Sequence, residues 1–322
     1  MRRLIVVAMT VALASLSSGG TRAADYPARD IELVVSFPAG GPADTAARIM
    51  APKLSAILGV PVVVVNKPGG GGAIGADYVA KGKADGSVVY SSTNSVLTIS
   101  PHLQKNLSYR LTDFAPLGSY ASDLGVITTR AGGPAGTLEE FVEYAKKNPG
   151  KLNYGSAGFG TVSFFTMELF KLAYGLDLVH VPFQGTGPVK NAVMGGHVNV
   201  ATSGFGSLSP LIRSGDLIAL VTTAPRRVAD FPTVPTMTEK GHPDASLNIW
   251  IGLYVPTRTP KPVQDTLIKA LAQAARDPSL VAAIEKAGMH VDYKDPAETR
   301  RALEAETATV GRVVDRLGLK KQ

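Results

Sequence analysis

The stretch IELVVSFPAGGPADTAAR, residues 31–48, decides how the rest of the chain is read. Ile31 to Phe37 reads as a buried strand, Pro38 to Gly41 as an elbow, and Pro42 with Asp44 as the opening of a helix. A strand that stops in such an elbow leaves its last amides without partners, and the first turn of a helix does the same. Glycines let a ligand approach the backbone closely, while a helix N-terminus carries roughly half a positive charge. A corner of this kind suits a carboxylate or phosphate without any basic side chain. Taken alone, it reads more readily as a strand-to-helix turn whose glycines serve packing.

The corner recurs. Leu152 to Gly155 is a strand running into Ser156-Ala157-Gly158-Phe159-Gly160-Thr161, and the helix after it sets Val162, Phe165, Leu169 and Leu172 on one face. Ser156 and Thr161 add hydroxyl donors to the exposed amides. Leu178 to Phe183 leads to Gln184-Gly185-Thr186-Gly187, with Pro188 as a first helical residue, and Val198 to Ala201 leads to Thr202-Ser203-Gly204-Phe205-Gly206. Between the first two corners, Val60 to Val65 is another buried strand. Ser87 to Ser91 is a third, and beyond its end stand Thr93, Asn94 and Ser95. Open α/β sheets bind ligands at the carboxyl ends of their strands, although each of these side chains can also cap a helix.

Gly70 to Gly75 satisfies GxGxxG, the pattern of dinucleotide-binding turns. That reading fails on context. Asn66-Lys67-Pro68 separates the strand from the glycines, and the next strand ends in Ser92-Thr93-Asn94 rather than an acid. The glycines read instead as a rim or a backbone-lined wall.

Thr137 and Glu140 form a capping box for the helix that ends at Asn148. Leu217 to Thr222 and Ile249 to Pro256 are core strands, and Pro262 to Ala275, Ser279 to Ala287 and Pro296 to Leu317 make a helical tail. Leu303, Val310, Val314 and Leu317 are the buried stripe of its last helix. Strands that are apolar throughout belong to parallel sheets covered on both faces. The fold class is therefore α/β, with two doubly wound lobes and a ligand cleft between them. Residues 25–122 with 251–322 are assigned to the first lobe and 123–250 to the second.

The 322 residues are 45% hydrophobic and 18% charged, enough for two ordinary domains. Met1-Arg2-Arg3, the apolar run Leu4 to Leu16 and the small-residue exit Ser17 to Ala24 read as a secretory signal peptide over residues 1–24. Its apolar run is too short to span a membrane. No cysteine is present, which excludes disulfides, thiolate metal sites, a cysteine nucleophile and the lipid-bearing cysteine of a lipoprotein. Of the formal net charge of +7, three positive charges (Arg2, Arg3 and Arg22) lie in the signal region; the remaining +4 is too mild and dispersed for nucleic acid.

A secreted hydrolase of small esters is the competing function. The sequence holds no GxSxG and no HExxH, and His102, His180, His197, His242 and His290 show no metal-ligand spacing. Each histidine reads as structural or surface, and no catalytic residue, metal or cofactor is expected. Asp44, in the first turn of a helix, reads as a cap rather than a general base.

FPAGGPADTAAR (Phe37 to Arg48), NKPGGGGAIGADYVAKGKADG (Asn66 to Gly86), KLNYGSAGFGT (Lys151 to Thr161), HVPFQGTGP (His180 to Pro188) and the later PTVPTMTEKG and WIGLYVPTRTP cover nearly all of the mature chain in order. In these segments the chain resembles the extracytoplasmic solute-binding proteins of tripartite tricarboxylate transporters, the Bug family. The resemblance implies a type II-like, two-lobed periplasmic binding protein, free of a lipid anchor. Such a receptor, expected as a monomer, closes on a small carboxylic acid and delivers it to membrane transporter subunits.

The resemblance also implies where the ligand sits. One carboxylate meets backbone amides and ordered waters at Phe37, Pro38, Ala39, Gly40, Gly41 and Asp44. The other end meets the corners at Ser156, Ala157, Gly158, Gly160 and Thr161, at Gln184, Gly185 and Thr186, and at Ser203, Gly204 and Phe205. Thr93 and Ser95, from the strand-end reading, complete the expected set. Replacing Gly40 or Gly158 by valine is expected to abolish binding. Many members carry an Asp-Asn pair where this chain has Ser203-Gly204 followed by Phe205. The difference argues against an amino-acid ligand and leaves room for an uncharged or aromatic distal group. Phe159, Phe164 and Phe205 fit an aromatic acid, or are plain core.

Overall fold

The computed structural model describes residues 26–319 and 321; the expected signal peptide lies outside the described residues. The chain builds β1 (Ile31–Val35), α1 (Pro42–Leu58), β2 (Val62–Asn66), α2 (Ala73–Lys81) and β3 (Val88–Thr93), then two single turns, α3 (Ser95–Thr98) and α4 (Ser100–Leu103). The consecutive strands β4 (Phe114–Asp123) and β5 (Gly125–Arg130) precede α5 (Leu138–Lys147), β6 (Leu152–Ser156), α6 (Val162–Tyr174) and β7 (Leu178–Pro182). Next come α7 (Thr186–Met194), β8 (Val200–Gly204), α8 (Phe205–Ser214) and β9 (Leu217–Thr222). The chain closes with β10 (Ile249–Pro256), α9 (Lys261–Ala274), α10 (Pro278–Lys286), β11 (His290–Lys294) and α11 (Pro296–Leu317).

The strands sort into two sheets, one for each lobe, in the orders β11-β4-β10-β3-β1-β2 and β7-β6-β8-β5-β9. β1 pairs in parallel with β2 and β3, and β6 with β7 and β8, as strands buried on both faces lead one to expect. Both sheets are nevertheless mixed. β10 runs antiparallel to β3 and β4, and β5 antiparallel to β8 and β9. The connections explain this: the parallel strands of each sheet end on the side facing the other lobe. A strand that arrives from the other lobe starts where they end and must run against them.

In the first lobe, Leu33 and Val35 of β1 pack with Ala46, Ala47, Met50 and Leu54 of α1. In the second, α6 lays Val162, Phe165 and Leu169 on the core. Leu172 departs from the expected stripe: it is 42% exposed and flanks a groove beside residues 241–247 and α11. α7 begins at Thr186 rather than Pro188, which takes the third helical position, where its missing amide costs nothing. The Thr137–Glu140 capping box is present, and Leu303, Val310 and Val314 are buried under α11. β4, β5 and β11 are strands that the expected set lacks, and β4 has no apolar pattern to reveal it. Its Gly118, at φ +146, allows β11 to approach so closely that a Cβ there would stand 2.8 Å from the Lys294 carbonyl oxygen.

Candidate functional site

A cavity lies between the lobes at the carboxyl ends of β1, β3, β6, β7 and β8. Phe37, Gly41, Pro42 and Ala43 line it from the first corner, and Thr93 and Ser95 from the end of β3. Ala157, Thr161, Val162 and Ser163 approach from the second corner, Gly185 and Thr186 from the third, Ser203 from the fourth, and Ile249 from the start of β10. The cavity offers about 40 Å³.

Its polar wall is neutral. The helices α1, α6 and α7 all begin here, and the first-turn amides of Ala43, Val162, Ser163 and Thr186 have no partner within their helices. Six hydroxyls accompany them. Thr93 Oγ1 lies 3.0 Å from Ser95 Oγ, Thr161 Oγ1 2.9 Å from Ser163 Oγ, and Thr186 Oγ1 2.9 Å from Ser203 Oγ. In the first and third pairs one O–H is spent on its neighbour, which leaves the other to face a ligand. Among the described residues no ionised side chain lines the cavity.

The acid in the first turn of α1 is disarmed by its surroundings. Asp44 is 3% exposed, and it accepts the Gly40 amide at 3.0 Å, Asn66 Nδ2 at 2.8 Å and Arg48 Nε at 3.0 Å. Burial pushes its carboxyl up, but the bonds from Arg48, Asn66 and Gly40 together hold it below the usual carboxylate value. Asn66 also donates to the Phe37 carbonyl oxygen. Asp44 thus ties the elbow Phe37–Gly41 to α1 from behind.

The lobes meet around the cavity. A Cβ on Gly185 would stand 2.9 Å from Pro38 Cδ, and one on Gly71 would stand 2.4 Å from the Phe159 carbonyl oxygen. Ser100 Oγ donates to the Gly160 carbonyl oxygen at 3.3 Å. Neither contact leaves space for a side chain on the glycine, so Gly71 and Gly185 permit a closed cleft.

Of the residues expected from sequence, Phe37, Gly41, Thr93, Ser95, Ala157, Thr161, Gly185, Thr186 and Ser203 come together at this cavity. Gly158 and Gln184 line a wider neighbouring recess with Gly70, Gly71, Gln104 and Lys105. The Gly40 amide is spent on Asp44, and the Gly158 amide on Ser156 Oγ at 3.3 Å. Pro38 and Gly160 serve the lobe contacts, and Ala39 is exposed. Gly204 lies against Asp123 and Pro42. Phe205 is 3% exposed and packs on Phe231 with ring centroids 4.9 Å apart. Phe164 is equally buried, tilted against the rings of Phe159 and His180. Only Phe37 brings an aromatic ring to the cavity. Pro42, Ala43, Val162, Ser163 and Ile249 line it without having been anticipated. A second hydroxyl two residues after Thr161 was the available signal for Ser163, and Ile249 had none.

Ser156 Oγ and His180 Nε2 lie 2.7 Å apart, a distance a hydrolytic dyad would show. Here Ser156 is fully buried, outside the cavity lining, and its oxygen is shared with the Gly158 main chain. Burial, with Lys171 adding to it against Glu168, lowers the imidazole to about 4. The pair supports the second corner from behind.

Residues 46–319 match the family described as "Tripartite tricarboxylate transporter family receptor". Protein BugT of Bordetella pertussis (strain Tohama I) is 31% identical over 321 residues, covering 99% of this chain and 98% of that one. The solved structure of the periplasmic binding protein BugD superposes with a TM-score of 0.87 at 32% identity, covering 92% of this chain and 100% of that one. MatC from Rhodopseudomonas palustris, solved with bound malate, gives 0.85 at 29% identity and covers 90% and 100%. Among the described residues no helix is long and apolar enough to cross a membrane. BugD is a periplasmic binding protein and MatC holds malate, and nothing supports the hydrolase alternative. The chain belongs to the tripartite tricarboxylate transporter receptor family and is a solute-binding receptor, not an enzyme.

Proposed function

We propose that this receptor captures a small carboxylic acid in the interlobe cavity and hands it to the membrane subunits of a tripartite transporter. The observation that carries the reading is the neutral wall: three helix N-termini and six hydroxyls face the same small space. A carboxylate there replaces its water by fixed donors, each contributing about 1.5–3 kcal/mol. Phe37, Gly41, Thr93, Ser95, Ala157, Thr161, Gly185, Thr186 and Ser203, joined by Ala43, Val162 and Ser163, are assigned as the contacts. Pro42 and Ile249 supply apolar cover. MatC, solved with malate, supports a short carboxylic acid as the solute.

The division into residues 25–122 with 251–322 and residues 123–250 is retained as a proposal, supported by strand membership; β4 runs through Asp123 and β10 starts at Ile249. Residues 1–24 are proposed as the export signal of a periplasmic monomer without a lipid anchor, a reading supported by the absence of cysteine.

A thermal-shift screen of short mono-, di- and tricarboxylates, each beside its neutral amide, tests the function. An acid at a hundredfold excess over its Kd adds about 2.7 kcal/mol, which raises Tm by roughly 5 °C. The amide should give no shift. Equal stabilisation by acid and amide, or none by any acid, would contradict the reading.

A further inference from the structure

Asp123 ends β4 and stands one residue before the chain passes from the first sheet into β5 of the second. Its side chain reaches across that boundary: Oδ1 accepts the Gly206 amide, in the first turn of α8, at 3.1 Å. Oδ2 is buried and has no hydrogen-bond partner among the described residues. It lies in the seam between the lobes. A Cβ on Gly204, in the second lobe, would stand 1.9 Å from Oδ2 and 2.9 Å from Pro42 Cγ, in the first. Gly204 thus vacates the volume that the carboxyl fills, and the meeting of Gly204 with Pro42 shuts water out.

An ionised oxygen in that position has lost its hydration and gained no donor. Burial pushes the carboxyl up to about 7, against the opposing pull of the Gly206, Leu124 and Phe205 amides. Among the described residues no cation offsets the burial. On α1, Asp44 and Arg48 are bound to one another, and on α8, Arg213 is bound to Asp230. Glu285 and Lys286 of α10 and His290 of β11 are exposed, and β10 brings Ile249, which cannot titrate, beside Asp123. Separation of the lobes opens the Gly204–Pro42 seam and returns water to Oδ2, and with it the ordinary preference for the ionised form.

We propose that closure of the two lobes takes up one proton from solvent at Asp123 Oδ2, so that ligand capture by this receptor is a proton-linked step. The balance is one proton added to one carboxylate, with no other bond changed. The sign follows from the raised value in the closed form: protonation favours closure, and the advantage is lost as pH rises through about 7. Affinity for the captured solute therefore falls about tenfold per pH unit between roughly pH 5 and 7 and levels off above. The significance for capture rests on the receptor reading above; the proton step itself can be tested without any solute.

The chain has no cysteine, and a Cβ on Gly41 would stand 3.9 Å from Thr186 Cβ across the cleft, a separation that a disulfide bridges. Gly41→Cys with Thr186→Cys holds the lobes together when oxidised and frees them when reduced. The side-chain carboxyl carbon of Asp123 is followed by 13C NMR from about pH 4 to 9. It is assigned by through-bond correlation to its own backbone and checked by its loss in Asp123→Asn. The expected midpoint lies within about one unit of 7 in the oxidised protein and at least one unit lower in the reduced one. An ordinary carboxylate midpoint in the oxidised protein, or the same midpoint in both, overturns the proposal. Failure of the carboxylate screen with a moving Asp123 midpoint sinks only the ligand class; a static midpoint with successful carboxylate binding sinks only the proton linkage.

Discussion

The carbonyl oxygen of Phe159 lies against Gly71 so closely that a Cβ on that glycine would stand 2.4 Å from it, and the contact joins the two lobes. Gly71 also sits at φ +64, where an L side chain costs about 1 kcal/mol. The clash with Phe159 exists only when the cleft is closed. Gly71→Ala should therefore weaken solute binding at least about tenfold while lowering unfolding stability by only about 1 kcal/mol. Calorimetric titration beside urea unfolding separates the two effects. Unchanged affinity would remove this contact from the closing surface.

Thr186 and Ser203 present one hydroxyl pair from two different corners. Thr186→Val and Ser203→Ala should each reduce affinity by about 1–2 kcal/mol, and the double variant by less than their sum, because the partners act as a unit. Titration of the three variants checks the coupling. Full additivity would mean that the hydroxyls meet the ligand independently.

Asp44→Asn tests whether the elbow is held from behind. Loss of the charge leaves Arg48 unpaired and weakens the grip on the Gly40 amide, which should cost about 1–2 kcal/mol of stability and slacken ligand binding with it. The lowered carboxyl value sets the pH sign. Its contribution is fully present above the ordinary Asp value of 3.8 and disappears as pH falls through the lower folded value. Denaturation measured downward from neutral pH should show an acid loss in the parent that is smaller in Asp44→Asn.

His180 acts with the same sign over a higher pH window. Its folded value, lowered to about 4 from 6.5, means that the unfolded chain binds more protons between those limits. Stability should fall as pH drops from 6.5 toward 4 and remain insensitive to this group above 6.5. His180→Gln, which can still donate to Ser156 Oγ, should flatten the slope between about pH 5 and 6.5. An unaltered slope would assign the acid sensitivity elsewhere.

What could be read from sequence was what is local. The strand, elbow and helix at 31–48 appear as β1 and α1, and the Thr137–Glu140 box caps α5, because caps and periodicity are written within a few residues. β4 could not be read so: FAPLGSYASD carries a proline, a glycine and three small polar or acidic residues, yet it pairs with β10 and β11 on both sides. The direction of β5 and β10 depends on which lobe the chain arrives from, a property that no local pattern encodes. In the site, the corners were visible but not the allocation of their amides. Gly40 and Gly158 look like the exposed donors, yet Asp44 and Ser156 already occupy them, so valine at either position tests loop geometry rather than a ligand bond. Asp123 resembles any strand-end acid until Gly204 and Pro42, both remote in sequence, close over it.

The most direct measurement is a crystal structure of the protein with an acid selected by the thermal-shift screen. The account predicts that its carboxylate lies between the lobes and accepts hydrogen bonds from first-turn amides of α1, α6 or α7 and from the Thr186–Ser203 or Thr93–Ser95 hydroxyls, with no lysine, arginine or metal in contact. A carboxylate held by a charged side chain, or seated outside the cavity that Gly41 and Thr186 share, would contradict it.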